Sequence, residues 1–498
     1  LYHILSPVDD ASYTRPEPIV RCHAGTRLKV ISEIEKWIKH SDNCPILWLN
    51  GPAGSGKSAI SQTIAEHYAA QNQLAASFFF LRGTGRRSSL WHLIPTLAYQ
   101  VSMFDPAAKF ILIDIMNNEP NLHRGQALYH QLVKLLINPI QAIGLKLPEI
   151  IIIIDALDEC NNKELISEFI KAIVDICNTP NLQLPFRHFL TSRVEEHIQE
   201  EFYKSTTQSV IKYLSLKNFD ATEDIELYLK GRLSLLCKSK SRMMLGVPGP
   251  WPSKEHLERL SRNAAGSFII ASTLVNFIET GKGHPDDNLK EALDMTDGLD
   301  PVYHQVITTA LRENKTLRNT HLHILDRVLA ITGLAEEPLS VTAISVLMER
   351  RAYQILQMLL GLQAILLIPE KDNDEPVRLF HTSLRDYLCS EQRSKELCIN
   401  MQQSHRMLAI KCLQLVVKYS WKDDDSKNQG IAIYACKHWL HHLNESLKNA
   451  KNQDVLNDAI LNSALSGFTS QSVMYWVIKT IENRDMRILQ AILVRINY

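Results

Sequence analysis

The sequence predicts an α/β fold, a parallel sheet carrying a phosphate-binding loop, followed by predominantly helical domains. Three observations lead there. An apolar run, Ile46–Asn50, stops at Gly51-Pro52-Ala53-Gly54-Ser55-Gly56-Lys57-Ser58, and helical periodicity follows from Ala59 to Ala70. That is the G-x-x-x-x-G-K-[ST] pattern in its strand-loop-helix context, the mark of a P-loop NTPase. A second apolar run, Ile150-Ile151-Ile152-Ile153-Ile154, ends in Asp155. From Cys44 to about Phe219 further apolar runs alternate with helical patterns, as in a parallel sheet covered on both faces.

A chain of 498 residues holds about three domains with large cores. Lys+Arg and Asp+Glu balance at 54 each, which argues against nucleic acid or a membrane surface as the partner. The nine cysteines are scattered without C-x-x-C spacing and are odd in number, so they read as reduced thiols, consistent with a cytoplasmic location. No apolar run approaches the roughly 18 residues of a membrane span, and no signal peptide is visible. The first residue is Leu1 rather than methionine, which suggests a fragment of a longer protein.

In chain order, residues 1–20 are polar and proline-punctuated and read as a linker or the tail of a preceding segment; with the helix that follows they make a first segment, 1–40. That helix is predicted over Thr26–Lys39, with Leu28, Ile31, Ile34, Trp37 and Ile38 on one apolar face. A nucleotide-binding domain follows at 41–219. Its strands are predicted at Ile46–Asn50, Ala76–Leu81, Ile150–Asp155, His188–Thr191 and Val210–Leu216, with helices at Leu90–Met103 and Leu165–Cys177 between them. A helical domain at 220–320 holds Asp224–Leu236, His256–Arg262 and Phe268–Thr280, broken by a Gly/Pro-rich loop at Gly246–Pro252. From 321 to 390, starting at His321, three helices accompany two short strands, Ala364–Ile368 and Val377–Phe380, joined by the turn Lys371–Glu375. That pattern suggests a winged-helix domain. The region 391–498 reads as all-helical around a polar loop at Lys422–Gly430, without a clear internal repeat.

The chemistry follows from the residue types. Gly51, Gly54 and Gly56 let successive backbone N–H groups turn toward phosphate oxygens, and the helix N-terminus at Lys57-Ser58-Ala59 adds unpaired donors. Lys57 supplies a mobile positive charge for the β/γ-phosphates, and the Ser58 hydroxyl can ligate Mg²⁺. Asp155, at the carboxyl edge of a buried strand, is the second candidate Mg²⁺ ligand. In many hydrolytic phosphate-loop ATPases a glutamate follows this aspartate and polarises the attacking water. Here Ala156 follows, and the acids come later at Asp158 and Glu159, with Asp158 the first candidate for orienting water. In-line attack depends on position, so displaced acids predict slow hydrolysis. Arg193, just past the apolar stretch ending Thr191-Ser192, is placed to sense the γ-phosphate.

Gly51–Ser58 together with Asp155-Ala156-Leu157-Asp158-Glu159 resembles the NACHT pattern of a metal aspartate, a tiny residue and a distal acidic pair. Thr191-Ser192-Arg193 is similar to that family's first sensor. Thr26-Arg27, Phe78-Phe79-Phe80, Leu97-Ala98-Tyr99-Gln100 and Tyr434-Ala435-Cys436 with Trp439 resemble fungal NACHT proteins, also described as having a nephrocystin-type N-terminal NTPase domain. The resemblance implies an ASCE/STAND-type ATPase like the NOD-like receptors, which rests with ADP, exchanges it for ATP, opens and self-associates. It implies a winged-helix histidine on the β-phosphate of ADP, and the matching position is His381, ahead of a Ser383-x-x-Asp386 capping-box-like pair. It also implies an N-terminal effector domain and C-terminal repeats, neither visible here. One departure is that the expected Gly-x-Pro near the adenine is replaced by Gly266-Ser267-Phe268.

These readings favour an ATP/ADP-controlled signalling switch using Mg²⁺, at most a slow NTPase, in non-self recognition or innate-immunity-like signalling. The alternative is an AAA-type remodelling or nucleic-acid-loading ATPase, against which stand the zero net charge and the apolar segment Tyr353–Leu362. A nucleotide kinase comes third, because no acceptor domain or arginine-rich lid is evident.

Overall fold

The computed structural model describes residues 1–16, 19–39, 44–82, 84–122, 127–143, 150–179, 186–204, 210–281, 283–295, 298–313, 327–369, 375–419, 429–448 and 458–482. The chain divides into two compact units, Leu1–Val275 and Asn276–Tyr498.

The first unit is built on a five-stranded parallel sheet: β1 (Ile46–Asn50), β2 (Leu74–Phe79), β3 (Ile150–Asp155), β4 (Phe186–Ser192) and β5 (Ile211–Ser215). Their order across the sheet is β2-β3-β4-β1-β5. Strands buried on both faces need apolar residues at every position, and β1 to β3 are buried along their whole length. Alternate residues go to opposite cores. Trp48, Ile152, Ile154 and Leu190 enter one, with Leu93, Leu97, Ile166 and Phe169 from the covering helices. Leu47, Leu49, Ile151, Ile153 and Phe189 enter the other, against helix α1 (Leu28–Lys39) and helix α2 (Lys57–Ala70).

Register brings the chemistry to one edge. Asn50 pairs with Ser192 and Ile154 with Leu190, so the ends of β1, β3 and β4 lie level at the carboxyl side of the sheet. Beyond β3, helix α3 (Lys163–Cys177) is started by Asn162, whose side chain accepts from the Leu165 N–H at 2.9 Å. After β5 come helices Thr222–Ser239 and Lys254–Ala264, then α4 (Phe268–Thr280), within which the division between the units falls.

Several boundaries differ from expectation. β2 begins two residues before Ala76 and ends before Leu81; Phe80 still donates its N–H to Asp155 O at 3.1 Å. β4 extends at both ends of His188–Thr191, and β5 is shorter than Val210–Leu216. The Leu90–Met103 helix opens with a 3₁₀ turn at Leu90–His92, because Pro95 lacks the N–H an earlier α-helical bond would use. On α1, Val30 is buried where Leu28 was expected, and Leu28 is 62% exposed. The largest difference is at the start of the chain. Leu5, Val8 and Ala11 are buried in the sheet core, the Val8 N–H donates to Thr96 Oγ1 at 3.0 Å, and the Tyr13 N–H donates to Ser77 Oγ at 3.0 Å. This stretch is a packed strap rather than a linker.

In the second unit the described elements include helices Pro285–Asp294, Asp300–Glu313, Val341–Met348 and Ala352–Leu360. An antiparallel pair, β6 (Leu366–Leu367) and β7 (Arg378–Leu379), precedes the short helix Ser383–Leu388. Both strands are shorter than expected, and most of the turn Lys371–Glu375, the start at His321 and most of the loop Lys422–Gly430 lie outside the described residues. Helices α5 (Met401–Tyr419) and α6 (Gln429–Leu447) pack on each other, followed by Ala459–Gln471 and Val473–Glu482. Among the described residues no helix is long and apolar enough to cross a membrane.

Candidate functional site

The loop between β1 and α2 is shaped by its glycines. Gly54 and Gly56 have φ of +70° and +92°, in the left-handed region where a Cβ is strained. Gly54 is also crowded: a Cβ there would lie 1.9 Å from Ile269 Cγ2, and its carbonyl accepts the Ile269 N–H at 3.2 Å. The start of α4 therefore packs directly on the loop. Pro52, Ala53 and Ser58 are exposed, Ser55 is buried and Ala59 half-buried.

Lys57, only 9% exposed, folds back so that Nζ donates to Gly51 O and Pro52 O, each at 2.9 Å. Burial lowers its pKa, and the nearby carboxylates Asp158 and Asp155 oppose that shift. The ammonium is thus held at the loop mouth by neutral carbonyls, the kind of partner a phosphate oxygen displaces.

Asp155, buried at the end of β3, receives two hydroxyls on the same oxygen. Thr191 Oγ1 donates to Oδ1 at 2.6 Å and Ser61 Oγ at 2.7 Å. The Thr191 hydroxyl in turn accepts the Ala156 N–H at 3.0 Å. Ala156 takes a left-handed conformation, φ 58°, so the chain turns sharply after the aspartate and carries Leu157–Glu159 into a 3₁₀ turn.

That turn brings Asp158 to Arg193. Asp158 Oδ1 accepts the Arg193 backbone N–H at 2.8 Å, and Oδ2 lies 3.2 Å from Arg193 Nε. Glu159 Oε2 accepts the Arg82 N–H at 3.1 Å, while the Arg82 guanidinium donates to Asp158 O at 2.8 Å. Burial, reinforced by the Asp158 charge, pushes the Glu159 carboxyl up to about 7. Lys57, Asp155, Asp158, Glu159 and Arg193 therefore share one electrostatic neighbourhood, as each contributes to the field at Lys57.

Two contributors carry no role in the sequence reading. Ser61 lies one helical turn beyond Lys57, a spacing that puts both on one face of α2. Arg27, also left-handed at φ 58°, is buried beside the loop; its Nη2 donates to Ser55 O at 2.8 Å and its guanidinium stands 4.9 Å over the Phe268 ring. Its Nε and Nη1 are buried without a hydrogen-bond partner. Phe268 belongs to the Gly266-Ser267-Phe268 stretch found in place of Gly-x-Pro, so an aromatic ring and a guanidinium stand where the proline was expected.

His381 lies in the second unit. Its Nδ1 accepts the Ser383 N–H at 3.0 Å and stands 2.7 Å from Ser383 Oγ. This replaces the expected Ser383/Asp386 capping pair: the N-cap is Thr382, without a side-chain cap, and the histidine ring satisfies the first-turn donor instead.

Residues 25–193 match the family described as nephrocystin 3, N-terminal. The match contains the phosphate loop, Asp155 and the Asp158–Arg193 pair, and stops at the end of β4. No curated protein matches the chain. Among solved structures the chain is similar to a Signal Transduction ATPase with Numerous Domains (STAND) protein with a tetratricopeptide repeat sensor from Pyrococcus horikoshii, at 14% identity and TM-score 0.38, over 95% of this chain and 57% of that one. It thus spans little more than half the length of that protein. It is similar to a Walker-type ATPase of Pyrococcus abyssi at 17% identity and TM-score 0.36, covering 74% and 98%, respectively. The Aeropyrum pernix ORC2 protein in its ADP form gives 13% identity and TM-score 0.34, covering 76% and 93%. The first unit is an α/β P-loop NTPase fold, and helices follow it.

The residues fit a Mg²⁺–nucleotide. The loop is a backbone cradle, Ser58 and Asp155 are hard oxygen donors, and Lys57 and Arg27 are buried cations whose charge is met locally by neutral oxygens.

Proposed function

We propose that the chain is an ATP/ADP-controlled switch of the STAND class, NACHT-like in its nucleotide site, that binds Mg-ATP and hydrolyses it slowly. The observation that carries this reading is the arrangement after β3. Asp155 is oriented by two hydroxyls through Oδ1, so Oδ2 is left for Mg²⁺ or its water. The residue after it is Ala156, with no acid to polarise water. The next acid, Asp158, has its two oxygens on the Arg193 backbone and guanidinium. A base tied to its own sensor is poorly placed for rapid in-line attack and well placed to report a γ-phosphate that draws Arg193 away.

In this reading Gly51–Ala59 hold the phosphates, Lys57 bridges β and γ, and Arg27 with Phe268 flanks the nucleoside end. His381 keeps the β-phosphate role that the resemblance implies. The helices and hairpin between residues 327 and 390 are read as a winged helix, activation as self-association, and the setting as cytoplasmic signalling.

The test is calorimetry of ADP and Mg-ATP binding on the parent and Lys57→Ala, with steady-state turnover. The expected outcome is binding by the parent, loss in Lys57→Ala, and turnover far below the ~1 s⁻¹ at the low end of typical enzymes. Nucleotide affinity unchanged by Lys57→Ala, or turnover above that limit, overturns the switch reading.

A further inference from the structure

The second unit contains a cluster of imidazoles that the nucleotide chemistry does not use. Near the start of α5, His405 Nδ1 faces His442 Nδ1 of α6 at 2.9 Å, and His441 stands beside both. One ring nitrogen from each of the three lies within 4.8 Å of the others. The ring centroids form a triangle with edges of 5.1, 5.5 and 6.0 Å.

We propose that His405, His441 and His442 form a transition-metal site, with Zn²⁺ as its ion and a water in the fourth position. Imidazole nitrogens suit zinc, and tetrahedral Zn–N bonds of about 2.0–2.1 Å place ligand nitrogens roughly 3.3 Å apart. The facing Nδ1 atoms, at 2.9 Å, need part only slightly, and the His441 nitrogen, within 4.8 Å of them, closes in to complete the three. Two of the three rings also have a partner outside the cluster, as in metal sites whose outer partners orient the ligands. His442 Nε2 is hydrogen-bonded to the Tyr434 hydroxyl at 2.8 Å. That oxygen also accepts the Glu336 N–H at 3.4 Å. The Glu336 carboxylate sits 2.9 Å from His441 Nε2, fixing that ring and supplying a negative charge beside the cation. His405 and His442 are buried, whereas the His441 side chain is 38% exposed, which gives an ion and its water a path from solvent.

The physical role is a staple. His405 belongs to α5 and the other two to α6, and residues 420–428 separate the helices in sequence. Binding releases no proton from a neutral imidazole whose outer nitrogen keeps its hydrogen. In the Nδ1–Nδ1 pair, the shared proton moves to the Nε2 that lacks one, so both rings stay neutral, both Nδ1 lone pairs turn to the metal and no net proton is released. The inference does not depend on the nucleotide reading.

The experiment measures metal content of the purified chain by mass spectrometry, then follows thermal unfolding with chelator and with added Zn²⁺. The metal-free protein is also titrated with Co²⁺, whose tetrahedral complexes absorb visible light. About one zinc per chain is expected, with a melting temperature raised by roughly 5–10 °C at a hundredfold excess over Kd and intense visible Co²⁺ bands. His441→Ala, the most exposed position, is the main variant. It should retain helix content and ADP binding while zinc affinity falls at least tenfold, and Glu336→Gln should weaken zinc tenfold or more without removing a ligand. A chain with neither bound zinc nor a melting temperature responsive to zinc, or a Co²⁺ form without visible bands, overturns the proposal and leaves a hydrogen-bonded histidine network. Zinc binding unchanged in His441→Ala overturns it equally.

Discussion

The Thr191 hydroxyl, at the end of β4, donates to Asp155 Oδ1 at 2.6 Å while accepting the Ala156 N–H at 3.0 Å. One side chain thereby fixes the carboxylate proposed to hold Mg²⁺ and closes the turn that displaces the acids. Thr191→Val keeps the shape but removes both bonds, leaving a buried N–H unpaired. It should lower stability by about 1–3 kcal/mol and weaken Mg-ATP more than metal-free ADP, whereas Thr191→Ser keeps both properties. Denaturant unfolding and calorimetry read the two effects.

The glycines of the loop are not equivalent. At Gly54 a side chain meets both an unfavourable φ of +70° and Ile269 Cγ2 at 1.9 Å; at Gly56 the nearest atom to a Cβ is Phe268 Cδ2, at 3.8 Å. Gly56→Ala should therefore cost only the left-handed strain, about 1–2 kcal/mol. Gly54→Ala should exceed that, because α4 must move off the loop, and ADP affinity should fall with it. Equal stability losses in the two variants would show that α4 is not seated on Gly54 in solution.

How far the sequence could be read depends on how local each signal is. β1 and β3 end where the apolar runs end, since Asn50 and Asp155 change both polarity and chemistry. The loop is equally legible, because all its residues act within one turn of chain. The strap at residues 1–16 was not: the buried Leu5, Val8 and Ala11 are spaced by three, but the exposed Tyr2 and Ile4 and several polar residues stand among them, and the pattern is too short to separate from a linker. Ser61 was missed for a different reason. Its partner Asp155 lies 94 positions away, and a serine on a helix face announces nothing until the sheet brings β3 beside it. Asp158 and Arg193 were each singled out as functional, but their pairing depends on the left-handed turn at Ala156, which no residue type signals, alanine being a poor left-handed residue.

Glu159 gives the site a pH signature. Its carboxyl is raised from the ordinary 4.5 to about 7, first by burial and then by Asp158. A raised acid is protonated in both folded and unfolded chains at low pH, so it has no effect on stability there. As pH rises through the ordinary value the unfolded chain ionises first, and the penalty for folding grows until the folded group ionises near 7. Glu159→Gln should therefore match the parent near pH 4 and exceed its stability by about 1–3 kcal/mol above pH 7. A stability difference independent of pH would mean that the carboxyl titrates normally.

Arg27 is a buried cation with an incomplete set of partners. It is buried, burial lowers its pKa, and of its donor nitrogens only Nη2 has a partner, the Ser55 carbonyl. The charges opposing the shift are led by Asp224, acting at a distance without a hydrogen bond to the guanidinium. Keeping an unpaired charge buried is unfavourable, so replacing it with an apolar chain of similar length should leave stability unchanged or raise it by about 1–3 kcal/mol. If Nε and Nη1 serve the nucleotide, the same Arg27→Met change should weaken ADP at least tenfold, equivalent to about 1.4 kcal/mol or more. A residue that only packs gives the opposite pairing, with lower stability and intact affinity, because the cation over the Phe268 ring and the bond to Ser55 would be lost without a ligand to miss them. Calorimetry with ADP and chemical unfolding of the same preparation separate the two, and Arg27→Lys, which keeps a charge but loses the fork, should recover less than half of the lost binding free energy.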